Sequence, residues 1–232
     1  MGSITPFRCI NCGLEFVDDG ALFYYDDKLK QTIEYILVMS TVGCNEGSKI
    51  KGRASGTYCG DCKKHLKVYV IEECAEDISN PCEVIMDGIK NRAAEYPRKI
   101  SELKEIRKNP NYTFEPNEYG AYTLKVPEFN DFQFTNISNP EWSEKKARKY
   151  VFDEFYDEID ESIKYYEEVY EKHLNSIYLI IDKSDDSEYD YHSLDKIHCP
   201  ECHKEIYKDI HHGSSCPNCD FPLIGGSTMD VD

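Results

Sequence analysis

Eight of the eleven cysteines fall into four Cys-x-x-Cys pairs: Cys9/Cys12, Cys59/Cys62, Cys199/Cys202 and Cys216/Cys219. Two thiolates at this spacing can lie on one side of a tetrahedral ion, and a second pair completes its shell. Four pairs therefore predict two metal ions per chain. Zinc suits four soft donors and is the expected ion, and iron in a four-sulfur site is the chemical alternative. A complete shell of sulfurs leaves no position for water or substrate, so the expected role of both ions is structural.

Four pairs can be joined into two sites in three ways. Sequential joining closes the shortest loops, with 46 residues between Cys12 and Cys59 and 13 between Cys202 and Cys216. It costs the least chain entropy. The expected sets are Cys9, Cys12, Cys59, Cys62 and Cys199, Cys202, Cys216, Cys219, although spacing alone does not exclude crossed pairing. In RCINCGLEF, Gly13 follows the second cysteine and permits the tight turn a metal knuckle needs. Pro200 and Pro217 give the two later pairs the form Cys-Pro-x-Cys. The span His198–Leu223 resembles a zinc ribbon, and the order knuckle, hairpin, knuckle, strand in residues 8–71 resembles a ribbon with an enlarged insertion. Ribbons serve many functions, so the resemblance implies a metal-held β module and no particular activity.

Other uses of the cysteines fit less well. A redox dithiol sits at a helix N-terminus after a strand, a context none of the four pairs has. Disulfides need an oxidising compartment, and MGSITPFRC carries no apolar stretch that reads as a secretory signal. A reducing, cytoplasmic setting is expected. His198, His203, His211 and His212 surround the later pairs. They could open a catalytic site by replacing a thiolate, but four sulfurs suffice and the histidines read as surplus. Cys44, Cys74 and Cys82 have no paired spacing and read as buried or loop residues.

The net charge of −17 argues against general affinity for phosphate backbones. The acid is concentrated in residues 111–198, which carry 9 basic and 21 acidic side chains. The basic residues cluster in 49–67, where Lys49, Lys51, Arg53, Lys63 and Lys64 stand among glycines as a candidate anion-binding set. A protein partner is the first expectation from the charge, and nucleic acid gripped by 49–67 is the alternative. No run of 18 apolar residues is present, so no membrane contact is expected. Asp153, Glu154, Asp157, Glu158, Asp160 and Glu161 read as a solvated face, because di-metal carboxylate sites want Glu-x-x-His and the chain has none. No nucleophile elbow, zincin motif or dinucleotide fingerprint occurs. An enzyme of unknown class is the least supported reading.

These sites need elements to position them. Ala21–Tyr25 and Thr32–Met39 read as strands joined by a polar turn, and Leu66–Ile71 as another. Five glycines between Ser40 and Gly60 predict a long loop. Asn80-Pro81 with Glu83 opens a helix that Pro97 should kink or restart and Asn109-Pro110 should end. Ala121–Val126 alternates as a strand does, as do Phe132 and Phe134. From Asn139-Pro140 to about Asn175 runs the longest helix, with Val151 or Phe152, Phe155, Ile159, Ile163, Tyr166, Tyr170 and Leu174 along one stripe. Ser176–Asp182 reads as a strand and 183–191 as a polar linker. The expected fold is α+β: two zinc-ribbon-like β modules flanking a mainly helical middle with a few strands. The expected domains are a ribbon-like module with a long insertion at 1–78, a helical α+β region at 79–190, a ribbon at 191–224 and a disordered tail at 225–232.

Overall fold

The computed structural model describes residues 2–19, 21–35, 47–108, 112–125, 138–185, 197–206, 214–225 and 229–231. Its elements in chain order begin with strands β1 (Gly2–Arg8), β2 (Glu15–Asp19), β3 (Ala21–Asp26), β4 (Gln31–Tyr35), β5 (Ile50–Cys59) and β6 (Lys64–Cys74). Helix α1 (Pro81–Lys108), strands β7 (Thr113–Pro116) and β8 (Tyr122–Lys125) and helix α2 (Glu144–Leu174) follow. The chain closes with β9 (Ser176–Asp182), β10 (Ile197–His198), β11 (Glu205–Ile206), β12 (Ile224–Gly225) and β13 (Met229–Val231). The fold is α+β. Two compact units result, one joining Met1–Ala93 to Lys172–Asp232 and the other formed by Ala94–Glu171. Segments from both sides of the middle thus share one unit rather than forming separate modules.

The first unit is organised on a five-stranded sheet of order β4-β3-β5-β6-β9. All neighbours are antiparallel except β6 and β9, which pair in parallel from His65↔Ser176 to Ile71↔Asp182. The run LKVYVI in β6 is apolar on both sides because both of its faces are covered. Tyr69 and Ile71 join Ala21, Phe23, Tyr25, Ile50 and Ala54 against Ile85 and Ile89 of α1. Leu66, Val68 and Val70 face the other way, into a cluster with Ile177, Ile197 and Ile206. A smaller sheet places β1 between β2 on one edge and both β12 and β13 on the other.

Two expectations are corrected here. The glycine-rich stretch is not all loop: within its described part, 47–60, residues Ile50–Cys59 are strand β5 in the middle of the sheet. Gly52 marks a register shift next to Lys51, and a Cβ there would meet the Val70 carbonyl oxygen at 1.9 Å. Glycine in this strand records close backbone approach and not chain freedom. Of the expected tail, the described Met229, Asp230 and Val231 are likewise not free, because they pair with Ile4, Ser3 and Gly2. The open edge of β1 needs backbone partners, and these residues supply them.

Helix α1 opens as its sequence implies. The Glu83 amide donates to Asn80 Oδ1 at 3.4 Å, and Asn80 Nδ2 donates to Glu83 Oε2 at 2.8 Å. It then runs unbroken through Pro97, which costs one backbone hydrogen bond and does not restart the helix. Buried Ile85 and Ile89 before Pro97 and buried Leu103 after it hold both halves in place. In the second unit, α2 buries Ala147, Val151, Phe155, Ile159 and Ile163. Val151, Phe155, Ile159 and Ile163 pack with Leu103 and Leu124. Its stripe ends early: Leu174 is exposed. Val126, Phe132, Phe134 and residues 36–39 and 186–191 lie outside the described residues.

Candidate metal centres

Each cysteine pair sits in the same small backbone loop. The amide of the first cysteine donates to the carbonyl five residues on: Cys9 to Leu14 at 2.8 Å, Cys199 to Lys204 at 2.9 Å and Cys216 to Phe221 at 2.8 Å. The residue after the second cysteine donates back to the first: Gly13 to Cys9 at 2.9 Å, His203 to Cys199 at 2.8 Å and Asp220 to Cys216 at 2.9 Å. In the fourth loop, Cys59 and Lys64 face each other at the end of the β5–β6 ladder. All four loops turn through a left-handed residue at the same place: Gly13 (φ 72°), Lys63 (φ 54°), His203 (φ 61°) and Asp220 (φ 59°). This geometry points loop amides at sulfur, as in the 3.4 Å bond from the Asn218 amide to Cys216 Sγ.

The loops combine in crossed order, and this corrects the sequential expectation. Cys9, Cys12, Cys216 and Cys219 form one group, and Cys59, Cys62, Cys199 and Cys202 form the other, with each group's ligand atoms within 4.8 Å of one another. In the first, Cys9 and Cys219 sulfurs lie 3.5 Å apart, and those of Cys12 and Cys216 3.7 Å apart. In the second, Cys59–Cys202 is 3.6 Å and Cys62–Cys199 is 3.7 Å. A disulfide is about 2.05 Å long, so none of these pairs is bonded. A tetrahedron with arms of about 2.3 Å, the usual zinc–sulfur distance, has edges of roughly 3.8 Å. Both groups can therefore hold a metal ion.

The pairing nests one tie inside the other. Cys62 and Cys199 are 137 residues apart and enclose the chain's middle. Once they are joined, the outer centre has only the 46 and 13 residues of the flanking arms left to order. Logarithmic loop closure makes this arrangement dearer than the sequential one by roughly 2 kcal/mol. Burying a single leucine side chain contributes about 1.5–3 kcal/mol. Leu66 beside the inner centre and Leu223 beside the outer are each about 1% exposed. Loop entropy of this size is offset by burying one or two such side chains.

The thiols of each group are held unequally. Burial pushes the Cys59 and Cys62 thiols up, and Cys216 to about 12. The Asn218 side chain and the Leu14 backbone hold Cys12 down to about 6. The Lys204 backbone lowers Cys202. Four thiolates so close repel one another, and a dication removes that repulsion while displacing the remaining protons.

The neighbouring histidines add no ligand to these groups among the described residues. His198 lies in the β10–β11 ladder opposite Glu205, and His203 supplies the left-handed turn. His211 and His212 lie outside the described residues, as does Cys44. Cys74 and Cys82 are half-buried against the core of the five-stranded sheet, where desolvation raises both thiols.

The candidate anion set is largely engaged with carboxylates. Lys49 pairs with Asp77, Lys51 with Glu73 at 2.9 Å, Arg53 with Glu72 at 3.0 Å and Lys64 with Glu201 at 2.9 Å. Lys63 is exposed and spends its backbone on the metal loop. Lys67 meets Glu34 at 2.6 Å, and the Tyr69 hydroxyl donates to the same carboxylate. Burial pushes the Glu34 carboxyl up, but Lys67 outweighs it and holds the group below its ordinary range. Sequence reasoning did not find this Glu34–Lys67–Tyr69 cluster, since its members are far apart in the chain. No helix of the described residues is long and apolar enough to cross a membrane. No protein family, curated protein or solved structure matches the chain.

Proposed function

We propose that this chain is a zinc-stapled, non-catalytic binding protein of a reducing compartment such as the cytoplasm. Its two zinc-ribbon-like loop pairs hold one ion each, and its surfaces engage another protein. The observation that carries the reading is the closed shell: each group offers four sulfurs at tetrahedral spacing, with two of the four buried. Such a shell has no open position for chemistry. Zinc is favoured over iron because a closed four-cysteine shell at tetrahedral spacing is the usual form of a structural zinc site.

A protein partner is favoured over nucleic acid on charge. The chain carries −17, and the cations of 49–67 are in large part already matched by Asp77, Glu73, Glu72 and Glu201. The partner would present a basic surface. Native mass spectrometry of the protein isolated from its own cells tests the whole reading at once. The expected mass is the chain plus two zinc ions, with a second polypeptide retained at low salt. A metal-free folded chain or bound iron removes the zinc assignment. Co-purifying nucleic acid, lost on replacing Lys49, Lys51 and Arg53, removes the protein-partner assignment.

A further inference from the structure

The two centres are built to different standards. The inner one (Cys59, Cys62, Cys199, Cys202) is carried by the turn of the long β5–β6 hairpin. Leu66, Val68, Val70, Ile177, Ile197 and Ile206 wall it in. Its two loops are also tied to each other, Lys64 to Glu201 at 2.9 Å and Lys204 to Asp61 at 2.7 Å. The outer centre (Cys9, Cys12, Cys216, Cys219) has a smaller surround of Phe7, Tyr58 and Leu223, with Leu14 partly buried. Cys12 is exposed. Its loops touch through Asn11 Nδ2, which donates to Cys219 Sγ at 3.4 Å.

The outer centre also leans on the inner one. Tyr58 packs with Cys9 and Cys216, while its neighbour Cys59 is a ligand of the inner group. Gly60, inside the inner loop, lies flush against the outer loop: a Cβ on it would come within 1.7 Å of the Pro217 carbonyl oxygen. No side chain fits there unless the Cys216–Cys219 loop moves away. The inner loop therefore forms the seat on which half of the outer centre rests, and joining the inner cysteines leaves the outer ones a shorter loop to close.

We propose that the centres load in order and exchange unequally: the inner ion is a permanent platform, and the outer centre takes up and releases a thiophilic divalent ion such as Zn2+ or Cd2+. This rests on the reading that both groups hold zinc. Occupancy of the outer centre decides whether the loop Cys216–Cys219 and the strand pairing of β1 with β12 stay docked, which makes it the metal-responsive end of the first unit.

The experiment measures zinc per chain and its release to a chromophoric chelator for the full chain and three variants, with far-UV circular dichroism alongside. The full chain should hold two zinc ions and release them in two phases of one ion each, separated about tenfold or more in rate, as local opening precedes global opening. C219S should hold one ion and show only the slow phase. C202S should lose both. Gly60→Ala, which replaces no ligand, should hold one ion, show the slow phase and keep its secondary structure. A full chain without zinc overturns the zinc reading itself. Two ions released in a single phase, a C202S chain that keeps the outer ion, a C219S chain that loses both, or a Gly60→Ala chain with two ions or none overturns the order of loading alone.

Discussion

The residue that follows the second cysteine of each loop carries a backbone demand that its side chain does not advertise. Gly13 meets it at no cost, whereas Lys63, His203 and Asp220 are held in a conformation that costs an L-residue about 1–2 kcal/mol. Part of a gain from glycine is returned as unfolded-state entropy. His203→Gly is thus expected to raise stability by about 0.5 kcal/mol and to leave two ions bound, as thermal unfolding and metal analysis would show. Loss of an ion would make His203 a ligand. The cysteine spacing announced the loops and Gly13 announced one turn, but nothing in the types Lys, His and Asp announced the other three. Elsewhere, burial lowers the proton affinity of His65 and of His173, whose Nδ1 lies 2.6 Å from the Tyr178 hydroxyl. Both take up a proton less readily in the fold than in the unfolded chain. Their contribution is present above pH 6.5, the ordinary histidine value, and is lost as pH falls through the lowered one. His173→Gln should flatten the fall in stability below pH 6.5 relative to the unaltered chain in the same buffers, where the thiol contribution is common to both. An unchanged slope would place the titration elsewhere.

At the level of elements, what the sequence shows depends on whether a residue acts locally. The aromatic and β-branched content of Ala21–Tyr25, the capping pattern at Asn80 and the stripe of α2 from Val151 to Ile163 are local, and all are realised. Asn80→Ala should cost about 1 kcal/mol, read from the denaturation midpoint, because it leaves the Glu83 amide uncapped. Strand β5 was hidden because its glycines act across the sheet. Gly52 is small for the sake of Val70, which stands on another strand. Gly52→Ala is expected to cost more than about 2 kcal/mol, since the contact is with backbone and nothing short of strand displacement relieves it. A loss under about 0.5 kcal/mol, as for an exposed surface change, would show that the strand yields. Pro97 misled in the opposite sense: its local penalty is real, and packing on both sides overrides it. Replacing it with alanine should therefore stabilise the chain by up to about 3 kcal/mol, detectable as a higher unfolding temperature.

Across the whole molecule, the α+β class was legible from the alternation of strand and helix periods, and the eight clustered cysteines from their spacing. Their partition was not. The nested ties are favoured by apolar contacts such as those of Leu66 with Ile177 and of Leu223 with Phe7, which exist only after the segments have met. Stripping both ions should release the segments flanking the middle, with loss of protection of the Leu66 and Leu223 regions in hydrogen exchange, and zinc should restore it. Protection that survives chelation would show that the ions are passengers. The same nesting has a consequence during synthesis. Cys9, Cys12, Cys59 and Cys62 are made long before their partners, and the inner centre cannot close until Cys199 and Cys202 have left the ribosome. Throughout elongation of α1 and α2, the nascent chain trails these four thiols without their partners. That interval leaves those thiols open to oxidants and to the wrong metal until the last pair emerges.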